Sequence, residues 1–240
     1  MDAMRERGTE ARQLPLSLEH AAAMKRADFL TGAANREAID LIDGWPAWPA
    51  PAVLLCGPVG SGKTHLAEIW REASGAAVAE AASLRDGDPV KLVGAGAVAI
   101  ENLHAGPLNE AALFHLLNLA GERRAPLLLT SRMPAAALPV ALPDLASRLR
   151  ATRPVSLGEP DDTLLRRVLV KLFADRQLVV EGAVLDYIAL RMERSLQGAN
   201  AIVAELDRAA LAGKVPVTRK LAAGAIDRVF GVEEIREASE

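Results

Sequence analysis

AVLLCGPVGSGKTHLAEIWREA, Ala52 to Ala73, decides the fold. Ala52 to Cys56 is a short apolar run of buried-strand type. A glycine-rich turn follows, and the residues from about Thr64 to Ala73 carry helical spacing. Gly57 to Thr64, GPVGSGKT, fits the G-x-x-x-x-G-K-[ST] pattern in the strand–turn–helix setting that the pattern requires. Glycines let the backbone curl so that successive N–H groups face a chain of phosphates. The N-terminus of the following helix adds partial positive charge. Gly57, Pro58, Gly60, Ser61 and Gly62 are therefore expected to cradle ADP or ATP. Lys63 would reach the terminal phosphates, and the Thr64 hydroxyl would face Mg²⁺.

Outward from this motif the chain alternates. Strands are expected at Val78, at Ala97 to Ile100, at Pro126 to Ser131 and at Arg153 to Leu157, which with the first makes five. Helical spacing marks Asn35 to Ile42, Leu108 to Arg123 and Asp144 to Arg150. WPAWPAP, Trp45 to Pro51, cannot be helix interior, because proline lacks a donor and disfavours helix before it. Strands alternating with helices imply α/β architecture, a five-stranded parallel sheet covered on both faces. After Glu159 only helices are expected: Asp161 to Asp175, Glu181 to Met192, Leu196 to Leu211 and Thr218 to Phe230. The division is thus a tail at 1–27, a nucleotide-binding domain at 28–158 and a small helical domain at 159–240.

Half of the residues are hydrophobic and only 3% aromatic, so Ala, Leu and Val must build the core, and base stacking is poorly supplied with rings. The net charge of -3 argues against a dedicated DNA-binding domain. The one cysteine, Cys56, reads as a small buried hydrophobe at a strand end. The charged N-terminus has no apolar core of a secretory signal, and no apolar run reaches membrane-spanning length. No membrane is therefore expected, and the cytoplasm is the expected compartment. Four histidines lack clustered zinc-ligand spacing.

A Mg²⁺-linked acid is expected at the end of a strand beside the loop. AVAIEN supplies Glu101, which would hold Mg²⁺ through water together with Thr64. Its neighbour is Asn102 rather than a second acid. An amide can hydrogen-bond the attacking water but cannot take its proton. The residues thus support binding more firmly than hydrolysis.

A strand–P-loop–helix domain followed by a helical lid is the layout of AAA+ proteins, and further stretches resemble the DnaA initiator family. DFLTGAANREAIDLI, Asp28 to Ile42, resembles the segment before its P-loop. LLLTSRMP resembles its sensor I strand, with Arg132 where an acidic residue is usual. PDLASRLR, Pro143 to Arg150, resembles the stretch carrying its arginine finger, here Arg148, with Arg150 and Arg153 close by. MERSLQGANAIVAEL, Met192 to Leu206, resembles its sensor II helix, with the arginine at Arg194. These stretches run in the family's order from Asp28 to Phe230, and nothing resembles its DNA-reading helix-turn-helix domain. QLPLSL, with Gln13, Leu14, Leu16 and Leu18, looks like the peptide by which many proteins bind the replication sliding clamp. An AAA+ module with such a tail is similar to the Hda family, the regulatory inactivators of DnaA.

The resemblance implies an adenine-nucleotide-bound regulator that binds the β sliding clamp and stimulates DnaA to hydrolyse ATP. Arg148 would be given in trans to DnaA's site, Arg194 would contact this chain's own nucleotide, and Phe29 and Asn35 (beside Arg36) would line the adenine and ribose pocket. DNA contact would be indirect or weak, and a homodimer is possible. Asn102 and Arg132 flank the expected place of the attacking water, so intrinsic turnover is expected to be weak or absent. A helicase loader or clamp-loader-like ATPase is the alternative, and would hydrolyse ATP briskly. A small-molecule P-loop kinase would want a substrate-binding insertion, and a purely structural adaptor would act without nucleotide.

Overall fold

The computed structural model describes residues 24–231, so the clamp-type peptide at 13–18 lies outside the described residues. Among these, the strands β1 (Ala52–Cys56), β2 (Ala77–Glu80), β3 (Val98–Glu101), β4 (Leu127–Ser131) and β5 (Arg153–Ser156) form one sheet in the order β2-β3-β4-β1-β5. Every pairing is parallel. Parallel strands require crossovers, and helices supply them. α1 (Arg36–Asp43) precedes the first strand, and the crossovers are α2 (Lys63–Ser74), α3 (Asp88–Gly94), α4 (Glu110–Arg123) and α5 (Pro143–Arg150).

Side chains alternate across a pleated strand, and the core divides accordingly. Leu54, Ile100, Leu127 and Leu129 face one layer and pack with Leu113 and Leu116 of α4 and Leu145 of α5. Val53, Leu55 and Leu128 face the other and pack with Ile39 of α1 and Leu66 and Trp70 of α2. β1, β3 and β4 are almost wholly buried, as strands covered on both faces must be. Cys56 ends β1 within this core.

The WPAWPAP stretch turns and folds two rings back onto α2. Trp48 stacks on Trp70 with centroids 4.8 Å apart, and Trp45 meets both rings edge-on. The Trp48 indole donates to the Leu41 carbonyl at 2.8 Å.

α6 (Asp162–Asp175), α7 (Gly182–Ala189), α8 (Leu196–Gly213) and α9 (Arg219–Phe230) make a separate helical unit. Leu165, Leu169, Phe173, Ile188, Ile202, Val203 and Leu206 form its core. Asp161, Ser195 and Thr218 cap α6, α8 and α9 by accepting amides of the first turn. Two details differ from the sequence expectation. DPVKLVG forms the short helix α3, which its seven residues, one a proline and one a glycine, did not advertise. α7 ends at Ala189, not Met192, because the chain turns there and buries Met192 from the loop.

Three contacts seat this unit on the sheet domain. The Leu196 amide donates to the Gly60 carbonyl at 2.9 Å. Arg167 donates to the Thr31 carbonyl at 3.0 Å, and Lys171 pairs with Asp28 at 2.8 Å. Lys171 also pairs with Asp175. The hydrogen bond from Lys171 outweighs burial and holds the Asp28 carboxyl below its ordinary range. Such a carboxylate stabilises the fold fully above its unfolded pKa of about 3.9, and loses that stabilisation as pH falls through the depressed folded value. Lys171→Met is therefore expected to cost about 1 kcal/mol near neutral pH, a modest figure for a partly solvated pair. Urea melts near neutrality and well below the ordinary carboxylate range check it, and the cost should vanish in the acid series.

Candidate nucleotide-binding site

All five strands end on one edge of the sheet, and the P-loop follows β1, between β4 and β5. That is where open parallel sheets place ligands. The amide of Gly57 donates to the Ser131 carbonyl at 3.2 Å, which fixes the loop's entry against β4. Two glycines in the loop have left-handed backbones that other residues resist. Gly60 (φ 69°) leaves no room for a Cβ, which would stand 2.6 Å from Ser195 Cβ. Gly62 (φ 99°) would place one 2.8 Å from the Phe29 ring. Gly62 is also the N-cap of α2 and has no side chain to offer, so the first-turn amides are uncapped and face an anion site.

Lys63 is buried. Its ammonium donates to the carbonyls of Gly57 and Pro58, each at 2.7 Å, with Ser61 Oγ at 3.4 Å. Burial first, and the nearby Arg132 cation second, lower its pKa. No carboxylate neutralises Lys63 among the described residues, and it faces a cavity of about 580 Å³. Gly60, Gly62, Lys63, Thr64, Asn102 and Arg132 line the polar end. Phe29, Leu30, Val168, Leu172 and Leu196 line the apolar end, a slot of the kind a planar base fills. Phe29 is both core and cavity wall, and meets His65 edge-on at 5.0 Å.

Glu101 ends β3 buried, with the Thr64 hydroxyl nearby. Burial raises its pKa, although the hydroxyl favours the charged form. Its Oε2 is buried and has no hydrogen-bond partner. An orphaned carboxylate oxygen beside a threonine hydroxyl, at the mouth of a phosphate loop, fits a hydrated Mg²⁺. Asn102 follows with a left-handed backbone (φ 59°), its amide N–H donating to Thr130 Oγ1 at 3.0 Å. Its Nδ2 donates to both oxygens of Glu80, at 3.2 and 3.0 Å. That bond turns the carbonyl Oδ1, an acceptor only, away from Glu80.

Other expected site residues lie elsewhere. Asn35 does not line the cavity. Its carbonyl accepts from Gly32 at 2.8 Å and its amide donates to Leu30 at 3.0 Å, so it shapes the loop that carries Phe29. Arg194 pairs with Asp162 at 2.5 Å and also lies outside the cavity lining. From the same helix start, Gln197 and Asn200 do line it. Arg148 is exposed in the last turn of α5 and makes no ion pair among the described residues. Arg150 is exposed too, while Arg153 pairs with Glu37 at 3.5 Å. Glu80, Lys171, Gln197 and Asn200 were not anticipated, because they reach the site from distant parts of the chain; His65 follows Thr64 directly but lies outside the motif pattern.

Solved structures with the same arrangement identify the fold. Domain III of the Thermotoga maritima replication initiation protein DnaA superposes with a TM-score of 0.70 at 16% identity, over 86% of this chain and 96% of that one. AMPPCP-bound DnaA from Aquifex aeolicus gives 0.60 at 17% identity, over 73% of this chain and 62% of that one. The Thermotoga maritima RuvB branch migration motor gives 0.64 at 17%, over 80% and 67%. The fold is that of an AAA+ P-loop module. No protein-family model matches the chain, and no curated protein matches it. No helix of the described residues is long and apolar enough to cross a membrane.

Proposed function

We propose that this AAA+ protein is a nucleotide-bound regulator of replication initiation, of the Hda kind, which stimulates ATP hydrolysis by DnaA. The observation that carries this reading is the pairing of two features. One is a well-built phosphate cradle with an amide, Asn102, in place of an acid directly after Glu101, and the other is the exposed Arg148, which makes no ion pair among the described residues. The first suits holding a nucleotide, and the second suits acting on another protein's nucleotide.

In this reading Lys63 and the α2 first-turn amides bind the phosphates of ADP or ATP, while Phe29, Leu30 and Leu172 enclose the base. Thr64 and Glu101 would hold Mg²⁺, which supplies neutralising charge between phosphates when bound. Asn102 offers an acceptor and Arg132 a cation where a proton acceptor would be needed. The chain therefore retains its nucleotide instead of turning it over. Arg148 enters DnaA's site and meets charge on the transferring phosphoryl group. Gln13, Leu14, Leu16 and Leu18 dock in an apolar groove of the β sliding clamp and so bring the regulator to loaded DNA.

The test is ATP loss from DnaA in a mixture with this chain, clamp and DNA. We expect hydrolysis to accelerate only when all are present, and replacement of Gln13, Leu16 and Leu18 by Ala to remove the clamp dependence. Acceleration that ignores the clamp would sink the tethering role. Brisk turnover by the chain alone would favour the other reading, a stand-alone loader ATPase.

A further inference from the structure

The helical unit carries a second feature, on the side of α7 and α9, outside the nucleotide cavity. Six of its arginines have partners. Arg166, Arg176, Arg194, Arg208 and Arg228 each pair with a carboxylate, and Arg167 donates to the Thr31 carbonyl. Two make no ion pair among the described residues, Arg191 and Arg219, and both are exposed. These two stack on one ring. The Arg191 guanidinium carbon lies 4.2 Å from the centroid of Tyr187 and that of Arg219 lies 4.7 Å from it. Tyr187 is the only tyrosine in the chain.

A guanidinium set over a ring face keeps N–H donors available to a ligand. Two like charges are thereby fixed near each other without a counter-charge. Lys220 follows Arg219 in the first turn of α9, where the helix end adds partial positive charge. A forked N–H edge matches the paired oxygens of a phosphate. Phosphates recur about every 3.4 Å of axis along one strand, so neighbouring groups can meet both forks. The ring itself is occupied by guanidinium, so no base can stack on it and no sequence can be read there.

We propose that Arg191 and Arg219, set on Tyr187, bind the phosphodiester backbone of nucleic acid, independently of sequence. The surface is small and the chain is acidic overall, so the affinity belongs in the weak, non-specific range of roughly 10⁻⁶–10⁻⁴ M.

Fluorescence anisotropy of labelled DNA, single-stranded and duplex, tests this across a salt series with the full chain. Binding should be insensitive to sequence and fall steeply with salt. Arg191→Ala with Arg219→Ala should weaken binding at low salt at least about tenfold. It should also flatten the slope of log K against log salt by roughly 1.4–1.8, since each lost contact removes about 0.7–0.9. Whichever form, duplex or single strand, shows this loss is the source of the phosphates. Arg191→Lys with Arg219→Lys keeps the charge without the fork, and should keep the slope while losing affinity several-fold. This pair answers the question if the alanine pair does not fold, and uptake of ADP serves as the folding control. Failure of the parent to bind DNA, or binding to polyglutamate but not DNA, overturns the proposal. So does a lowered melting temperature in the variants with unchanged DNA affinity, which would make the sandwich only a staple between α7 and α9.

Discussion

Lys63→Ala is expected to abolish nucleotide binding, with affinity for ADP and ATP falling at least about a hundredfold, a loss of some 2.7 kcal/mol. The ammonium lies at the loop's mouth on the carbonyls of Gly57 and Pro58 and is buried, so its charge acts in a poorly solvated setting. A phosphate there offers the ammonium an anionic acceptor, which adds charge–charge attraction that neutral carbonyls cannot supply. Alanine removes that charge and leaves the loop's carbonyls facing the anion. Lys63→Arg would not rescue it, because a planar fork cannot replace a point charge packed against two carbonyls. Titration calorimetry with and without magnesium reads the effect, and a melting curve with excess ADP reads it again through mass action. Uptake by the alanine variant within a few-fold of the parent would refute the phosphate assignment.

Arg148→Ala should leave nucleotide binding intact and remove the stimulation of DnaA. Arginine fingers given in trans are worth about 10³–10⁵ in rate, so hydrolysis in the mixture should fall to DnaA's own background. The expectation rests on position. Arg148 sits on the exposed face of an eight-residue helix whose buried face, Leu145 and Leu149, is packed into the sheet domain. The guanidinium is thus carried on a rigid base and has no internal work to do. Truncating it should cost little stability, as exposed side chains without partners usually do. Arg148→Lys separates charge from geometry and should recover only a small part of the rate. Arg150→Ala is the necessary control, because it lies two residues on and is equally exposed. If Arg150→Ala silences the reaction and Arg148→Ala does not, the finger has been misplaced by half a turn of helix.

The sheet was legible because its signals are local. Runs such as Ala52 to Cys56 and Leu127 to Leu129 are continuous and apolar, and parallel strands buried on both faces look just so. The phosphate cradle was legible for the same reason, since eight consecutive residues define it. α3 was missed because seven residues with a proline at the start hold too few periods to be read. The rest of the cavity is non-local. Val168, Lys171 and Asn200 meet Phe29 only after the helical unit folds back over the P-loop, and no spacing in the chain announces it. Asn35 and Arg194 show the converse limit. Motif position assigned them to the ligand, whereas here Asn35 bonds to Gly32 and Leu30 and Arg194 pairs with Asp162, contacts that no motif foretells. Glu80 ends β2 directly opposite Glu101, and only strand register, invisible in one sequence, reveals that it orients Asn102.

The bond from Leu196 N–H to the Gly60 carbonyl has a mechanical consequence. A shift of the P-loop at Gly60 is passed to the 18-residue helix that begins at Leu196. Phosphate count and the tilt of the helical unit are thereby linked, by about the 1 kcal/mol that one such bond carries. A neighbour resting against that unit would sense which nucleotide lies inside without touching it.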